Sequence, residues 1–187
     1  MGIIARLAIA LALLAASRAY ANITNTTASV RPDNSLLVDV EVMTSGNAAR
    51  LAVTYQAEGV EPLVSRWAPV DRDGITKITV GRLRADKIYS YSVRAIDNDG
   101  APAGTAQGTF RTGPLPAALS MNTYKLQGRS TAPLVVMPHL QANFRGYVAL
   151  DLRSPDAPQI VWYYANAPST ASGMLQVDTV NSILQER

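Results

Sequence analysis

From Ile88 to Ala95 the chain alternates, with Ile88, Ser90, Ser92 and Arg94 on one side and Tyr89, Tyr91, Val93 and Ala95 on the other. A period of two with one apolar side predicts a half-buried strand. Leu83 precedes Tyr89 by six residues, a spacing at which a leucine closes a core under a loop and a tyrosine at the strand's start hydrogen-bonds backbone at the corner. The same alternation recurs upstream: Leu36, Val38, Val40 and Val42 oppose Leu37, Asp39, Glu41 and Met43 over a strand predicted from Leu36 to Thr44. Leu51, Val53 and Tyr55 mark another, and Ile23 to Val30 reads as a Thr-rich edge strand. Glu61 to Val70, carrying Trp67, is expected as one strand, followed by Ile75 to Val80 and Thr105 to Thr112. Turn signals at Arg31-Pro32-Asp33-Asn34, Ser45-Gly46-Asn47 and Asp71-Arg72-Asp73-Gly74 separate them. Short strands punctuated in this way predict an all-β sandwich over residues 22–112.

Composition shifts at Gly113-Pro114-Leu115-Pro116-Ala117-Ala118, so residues 113–123 are expected to form a Pro-rich linker and a domain boundary. Beyond it, Tyr124 to Gly128 and Leu134 to Met137 are short strand candidates. Gly146 to Leu150 and Ile160 to Tyr164 predict a hairpin around the loop Arg153-Ser154-Pro155-Asp156-Ala157-Pro158. At the other end, residues 1–21 combine an early cation at Arg6, an apolar run from Leu7 to Ala16 and Ala19-Tyr20-Ala21. That pattern predicts a secretory signal peptide and an exported chain, periplasmic or secreted. The run is shorter than the roughly 20 residues a spanning helix needs, so no stable membrane span is expected after cleavage.

Charge changes the picture little. Without Arg6 and Arg18, fifteen Lys and Arg face fourteen Asp and Glu, scattered singly, which offers nucleic acid no electrostatic footprint. The absence of cysteine excludes a disulfide framework and thiolate metal sites. Asp71-Arg72-Asp73-Gly74 and Asp97-Asn98-Asp99-Gly100 look like fragments of calcium loops but lack the remaining ligands and the closing Glu, so they are expected to be turns. Asn22-Ile23-Thr24 and Asn25-Thr26-Thr27 fit the glycosylation sequon, which matters only in a host that glycosylates. Trp67 with Tyr55, Tyr89 and Tyr91 offers a candidate sugar-stacking face, although alternation turns most of these rings inward.

The Leu83 to Tyr89 spacing and the strand order resemble the fibronectin type III domain over about Asn22 to Thr112. One departure stands out: that family often carries a core tryptophan on the second strand, where this chain has only aliphatics, and Trp67 is expected to supply the bulk instead. Tyr147-Val148-Ala149-Leu150-Asp151 and Gln159-Ile160-Val161-Trp162-Tyr163-Tyr164 resemble the first propeller-blade repeat of bacterial arylsulfotransferases, in which a strand ending Leu-Asp is followed by a turn and a strand ending Val-Trp-Tyr-Tyr. The order of signal peptide, small sandwich, connector and blade hairpin is also that of those secreted enzymes. The resemblance implies a fibronectin type III-like sandwich followed by a partial β-propeller, with residues 124–187 as the first blade region.

That family transfers a sulfuryl group from phenolic sulfates to phenols through a covalent histidine, with further His and Arg residues steadying the sulfate oxygens. Such chemistry needs a nucleophilic imidazole and neighbouring cations. The chain has one histidine, His139, expected on a Met-Pro-His-Leu turn, and it matches no catalytic position of the family. Arg145 and Arg153 flank turns and are expected at the surface. No catalytic, cofactor-binding or metal-ligating residue is therefore assigned, and no cofactor is expected. A propeller closes with at least four blades, whereas seventy-odd residues follow Thr112. The expectation is a non-catalytic N-terminal portion of an arylsulfotransferase-like protein, with phenolic sulfates and phenols as substrates of the full-length parent only. Exposed β edges would then serve a protein partner or a second copy. The alternative from a different class is a secreted fibronectin type III-like module that binds protein or glycan.

Overall fold

The computed structural model describes residues 22–125, 127, 131–141, 144–153 and 158–165. It is all-β, with antiparallel sheets throughout. β1 (Asn22–Arg31) and β6 (Ile75–Val80) flank β2 (Asn34–Ser45) in the first sheet. In the second, β3 (Arg50–Ala57) pairs with β7 (Ile88–Ile96), which pairs with β8 (Pro102–Arg111). The two-residue strands β4 (Leu63–Val64) and β5 (Ala68–Pro69) both join β3.

The period-two pattern sets the packing of these two sheets. Val38, Val40 and Val42 of β2, with Ile78 and Val80 of β6, share one buried cluster with Leu51, Val53 and Tyr55 of β3 and Tyr89, Tyr91 and Val93 of β7. Each strand thus sends alternate side chains into a common core and keeps its polar set outside. Tyr91 lies opposite Gly108, and its ring fills the space a side chain on that glycine would take. Leu83 is fully buried. Tyr89 stacks on Phe110 at 5.3 Å, and its hydroxyl accepts a hydrogen bond from the Arg84 backbone N–H at 2.9 Å. Burial pushes the Tyr89 phenol above its ordinary range, and the backbone hydrogen bond opposes that shift. Tyr89→Phe leaves the Arg84 N–H unpaired at the corner and is expected to cost about 1–2 kcal/mol, read as a lower urea midpoint. An unchanged midpoint would show that water replaces the phenol without loss.

The region from Glu61 to Val70 departs from expectation. Instead of one strand it forms β4 and β5, with Trp67 between them. Pro62 and Pro69 cannot donate to a ladder, which limits pairing to two short stretches. Trp67 does not replace a core tryptophan: it is 38% exposed, with the Arg94 guanidinium 5.3 Å from its ring centroid. Tyr55, Tyr89, Tyr91 and Phe110 supply the aromatic bulk of the core. The last strand of this unit begins at Pro102 rather than Thr105.

The third sheet has the order β11 (Gln159–Ala165), β10 (Phe144–Asp151), β9 (Leu134–Gln141). The expected hairpin is present, with Leu150 opposite Ile160, Ala149 opposite Trp162 and Val161 at a bulge. Two expectations fail here. Tyr124, Lys125 and Gln127 of the first candidate lie outside any strand, while its Leu126 and Gly128 fall outside the described residues, and β9 continues past Met137 so that His139 sits within it, opposite Gly146, rather than on a turn. A proline is tolerated there because β9 is an edge strand, where Pro138 need not donate.

The Pro-rich stretch is tied to the body. Gly113 donates its N–H to the Ser35 carbonyl, and the Ser35 hydroxyl donates to the Pro114 carbonyl at 2.7 Å. It then enters α1 (Ala117–Ser120), whose Leu119 is fully buried beside Leu36 of β2 and Phe144 and Val148 of β10. The signal-peptide stretch, Ser154 to Ala157 of the predicted loop and residues 166–187 lie outside the described residues. Among the described residues, no helix is long and apolar enough to cross a membrane.

Candidate functional site

The chemistry-bearing residues gather where the third sheet meets the β1–β2 turn. Asn34 opens β2 and is buried. Its side-chain oxygen accepts the Leu36 N–H at 2.9 Å, and its amide donates to the Tyr163 carbonyl at 2.6 Å. The Tyr163 hydroxyl accepts the Ser35 N–H at 2.9 Å and donates to the Ser35 hydroxyl at 3.2 Å. Strand β11 is therefore clamped at both its main chain and a side chain. Next to the clamp, Arg31 and Asp33 form a two-pronged ion pair, with bonds of 2.9 and 2.7 Å. That pairing holds the Asp33 carboxyl below its ordinary range.

Beyond this clamp opens a cleft of about 450 Å³ between the end of the first sheet and the length of β11. Leu37, Trp162 and Tyr164 give it apolar and aromatic walls, and the two rings lie nearly parallel with centroids 6.5 Å apart. Arg82 supplies a cation. β6 ends at Val80, and Leu37 packs so close to Gly81 that a Cβ there would sit 3.1 Å from its methyl group. The Tyr55 hydroxyl fixes the Gly81 carbonyl at 2.9 Å. Arg82 then adopts φ +57°, a left-handed conformation that is uncommon for a residue with a side chain. Its Nε is buried without a hydrogen-bond partner.

A carboxylate lies near Arg82 but is already engaged. Asp151 accepts from the Arg153 N–H at 3.0 Å and from the Arg153 guanidinium twice at 3.1 Å. Burial opposes ionisation of Asp151, yet the Arg153 hydrogen bonds prevail with help from the charges of Arg153 and Arg82, and the carboxyl is held below its ordinary value. A carboxyl with a depressed folded-state pKa adds stability that is present above the unfolded-state value and is lost as pH falls through the folded one. Acidification below about pH 4 is expected to remove this contribution, and Asp151→Asn should flatten the acid limb of a stability profile. An identical acid limb in the variant would contradict the assignment. Arg153 also reaches Glu61 at 3.3 Å, tying β10 to the loop before β4.

The sequence-selected residues are dispersed. His139 is 7% exposed; its Nδ1 lies 3.1 Å from the Tyr124 hydroxyl, its ring packs edge-on against Phe144, and its Nε2 has no hydrogen-bond partner. It lines neither wall of the cleft. Arg145 is exposed on β10, while Arg153 makes the ion pairs above. Tyr55, Tyr89 and Tyr91 are buried, so only Trp67 of the candidate sugar-stacking set presents its ring to solvent. The two calcium-like loops are turns closed by their own acids: Asp97 accepts the Asp99 and Ala101 N–H groups around Gly100 at φ +82°, and Asp73 accepts that of Ile75 beside Gly74 at φ +76°. No group of metal-ligating side chains occurs among the described residues. The sequence offered no signal for Arg82, because a left-handed arginine after a strand has no compositional mark.

No family model matches the chain. No curated protein matches it either. Among solved structures, one described as "Myokine structure" is 19% identical, covers 49% of this chain and 96% of its own, and superimposes with a TM-score of 0.37.

Proposed function

We propose that the chain is the non-catalytic N-terminal portion of an exported arylsulfotransferase-like protein, in which a fibronectin type III-like sandwich is the platform for the first blade of a β-propeller. The supporting observation is the third sheet. It carries Leu150-Asp151 and Trp162-Tyr163-Tyr164 on paired antiparallel strands and is clamped to the two-sheet unit through Asn34, Ser35 and Tyr163. The strand orders β1-β2-β6 and β4-β3-β7-β8, with a tyrosine corner at Tyr89, suit the sandwich half of this reading. Both outer strands of the third sheet are edges among the described residues, and Leu140 of β9 is 67% exposed. Such edges suit continuation of a β structure, or pairing with a protein partner or a second copy.

In this reading the sulfuryl-transfer chemistry belongs to the parent protein, and His139 is a packing residue. The chain by itself is expected to transfer no sulfuryl group from a phenolic sulfate to a phenol, whereas the exported protein containing it should do so. Turnover by the chain alone that disappears on His139→Ala would overturn the assignment, as would a complete lack of turnover by the containing protein.

A further inference from the structure

A second cleft, of about 370 Å³, runs along the outer edge of β6 and is lined by Trp67, Arg66 and Lys77. It shares Thr79, Gly81 and Arg82 with the cleft along β11. The two clefts therefore adjoin at Arg82, with Trp67 lining one and Trp162 and Tyr164 the other, and are treated together as a groove. Arg66, Lys77 and Arg82 are the cations along it besides the paired Arg31. Asp33 is committed to Arg31, and the nearby Asp39 accepts from the Thr79 hydroxyl at 2.7 Å while lying 3.9 Å from the exposed Lys77. Asp151 is committed to Arg153.

Arg82 carries two costs at once. A left-handed backbone is strained for a residue with a side chain, and a buried donor without a partner forfeits the hydrogen bond it would make in water. Local strain of this kind gathers at ligand clamps, and a guanidinium offers a planar fork matched to a carboxylate. Trp162 and Tyr164, and Trp67 on the side away from the Arg94 guanidinium, offer flat apolar surface on which the C–H face of a sugar can lie. An extended acidic peptide would use the cations but has no regular flat face for the rings.

We propose that this groove binds an acidic polysaccharide, with uronate carboxylates at Arg82 and its neighbouring cations and sugar faces on Trp67 and on the Trp162–Tyr164 wall. The inference goes beyond the propeller reading and does not depend on it, since binding and sulfuryl turnover are separate measurements.

The test is calorimetric titration of the mature chain at low ionic strength with three probes. Polygalacturonate supplies rings and charge, its methyl ester supplies rings without charge, and poly-L-glutamate supplies charge without rings. Polygalacturonate is expected to bind at least tenfold tighter than either of the others. Arg82→Asn, which suits a left-handed backbone, and Trp67→Ala at the surface should each weaken it about tenfold. Arg66→Gln, a fully surface change, gives a smaller loss and serves if Arg82→Asn melts early. Absence of polygalacturonate binding overturns the proposal. Equal affinity for poly-L-glutamate, with Trp67→Ala silent, overturns it in favour of an acidic-peptide groove, and tight binding of the methyl ester overturns the role given to Arg82.

Discussion

Gly146→Ala is expected to be among the most damaging single-methyl changes at the described residues. Gly146 lies in β10 opposite Ala165 of β11 and His139 of β9. A Cβ built there collides with the main-chain carbonyl of Tyr164, which cannot rotate away as a side-chain tip would. The ladder must open, and the strand it displaces is the one held by Asn34 and Ser35. Overpacking against rigid backbone costs up to about 3 kcal/mol or more. Gly100→Ala is the matched control: its φ of +82° disfavours a side chain, but nothing lies within 4 Å of the added carbon. It should cost only the conformational penalty of roughly 1–2 kcal/mol. Chemical denaturation of both variants checks the ranking, and a Gly146→Ala loss no larger than that of Gly100→Ala would show that β10 and β11 do not approach as described.

Asn34→Ala should come next. The side chain serves two buried partners in different parts of the fold, and alanine leaves both the Leu36 N–H and the Tyr163 carbonyl unpaired. Each buried orphan costs about 1–3 kcal/mol, so a loss of roughly 2–6 kcal/mol is expected. The effect should be uneven. Hydrogen exchange of β10 and β11 amides should accelerate far more than that of β3 and β7, because the clamp, and not the central core, is released. Uniform acceleration across all three sheets would instead show that the third sheet unfolds only together with the rest.

Much of the two-sheet unit was legible because alternation is strict where one face is buried. Leu36 to Val42 and Tyr89 to Ala95 point the way their patterns require, and a tyrosine after a leucine six residues earlier anticipated the hydrogen bond from Arg84. Reading failed where backbone chemistry overrode side-chain pattern. Pro62 and Pro69 reduced an apparent strand to two short pairings and left Trp67 at the surface. Pro138 suggested a turn, whereas an edge strand accommodates it, and His139 was drawn into the sheet with it.

The candidate groove was less legible still. In the sequence Asn34 and Asp33 are turn residues, and Tyr163 is part of an aromatic strand end. Their conjunction depends on residues 128 and 129 positions apart in sequence folding onto one another. Local pattern cannot encode such a meeting. The left-handed backbone of Arg82 is marked by no motif in the sequence.

The central claim is that this chain is the front of a larger exported enzyme, and the measurement that tests it most directly is the intact mass of the polypeptide exported by the cells that make it. The account predicts a mass several-fold above that of residues 22–187, in a protein that begins near Asn22 and turns over a phenolic sulfate. A mass matching residues 22–187, in a protein without such turnover, would contradict it and leave the groove at Arg82 as the basis of function.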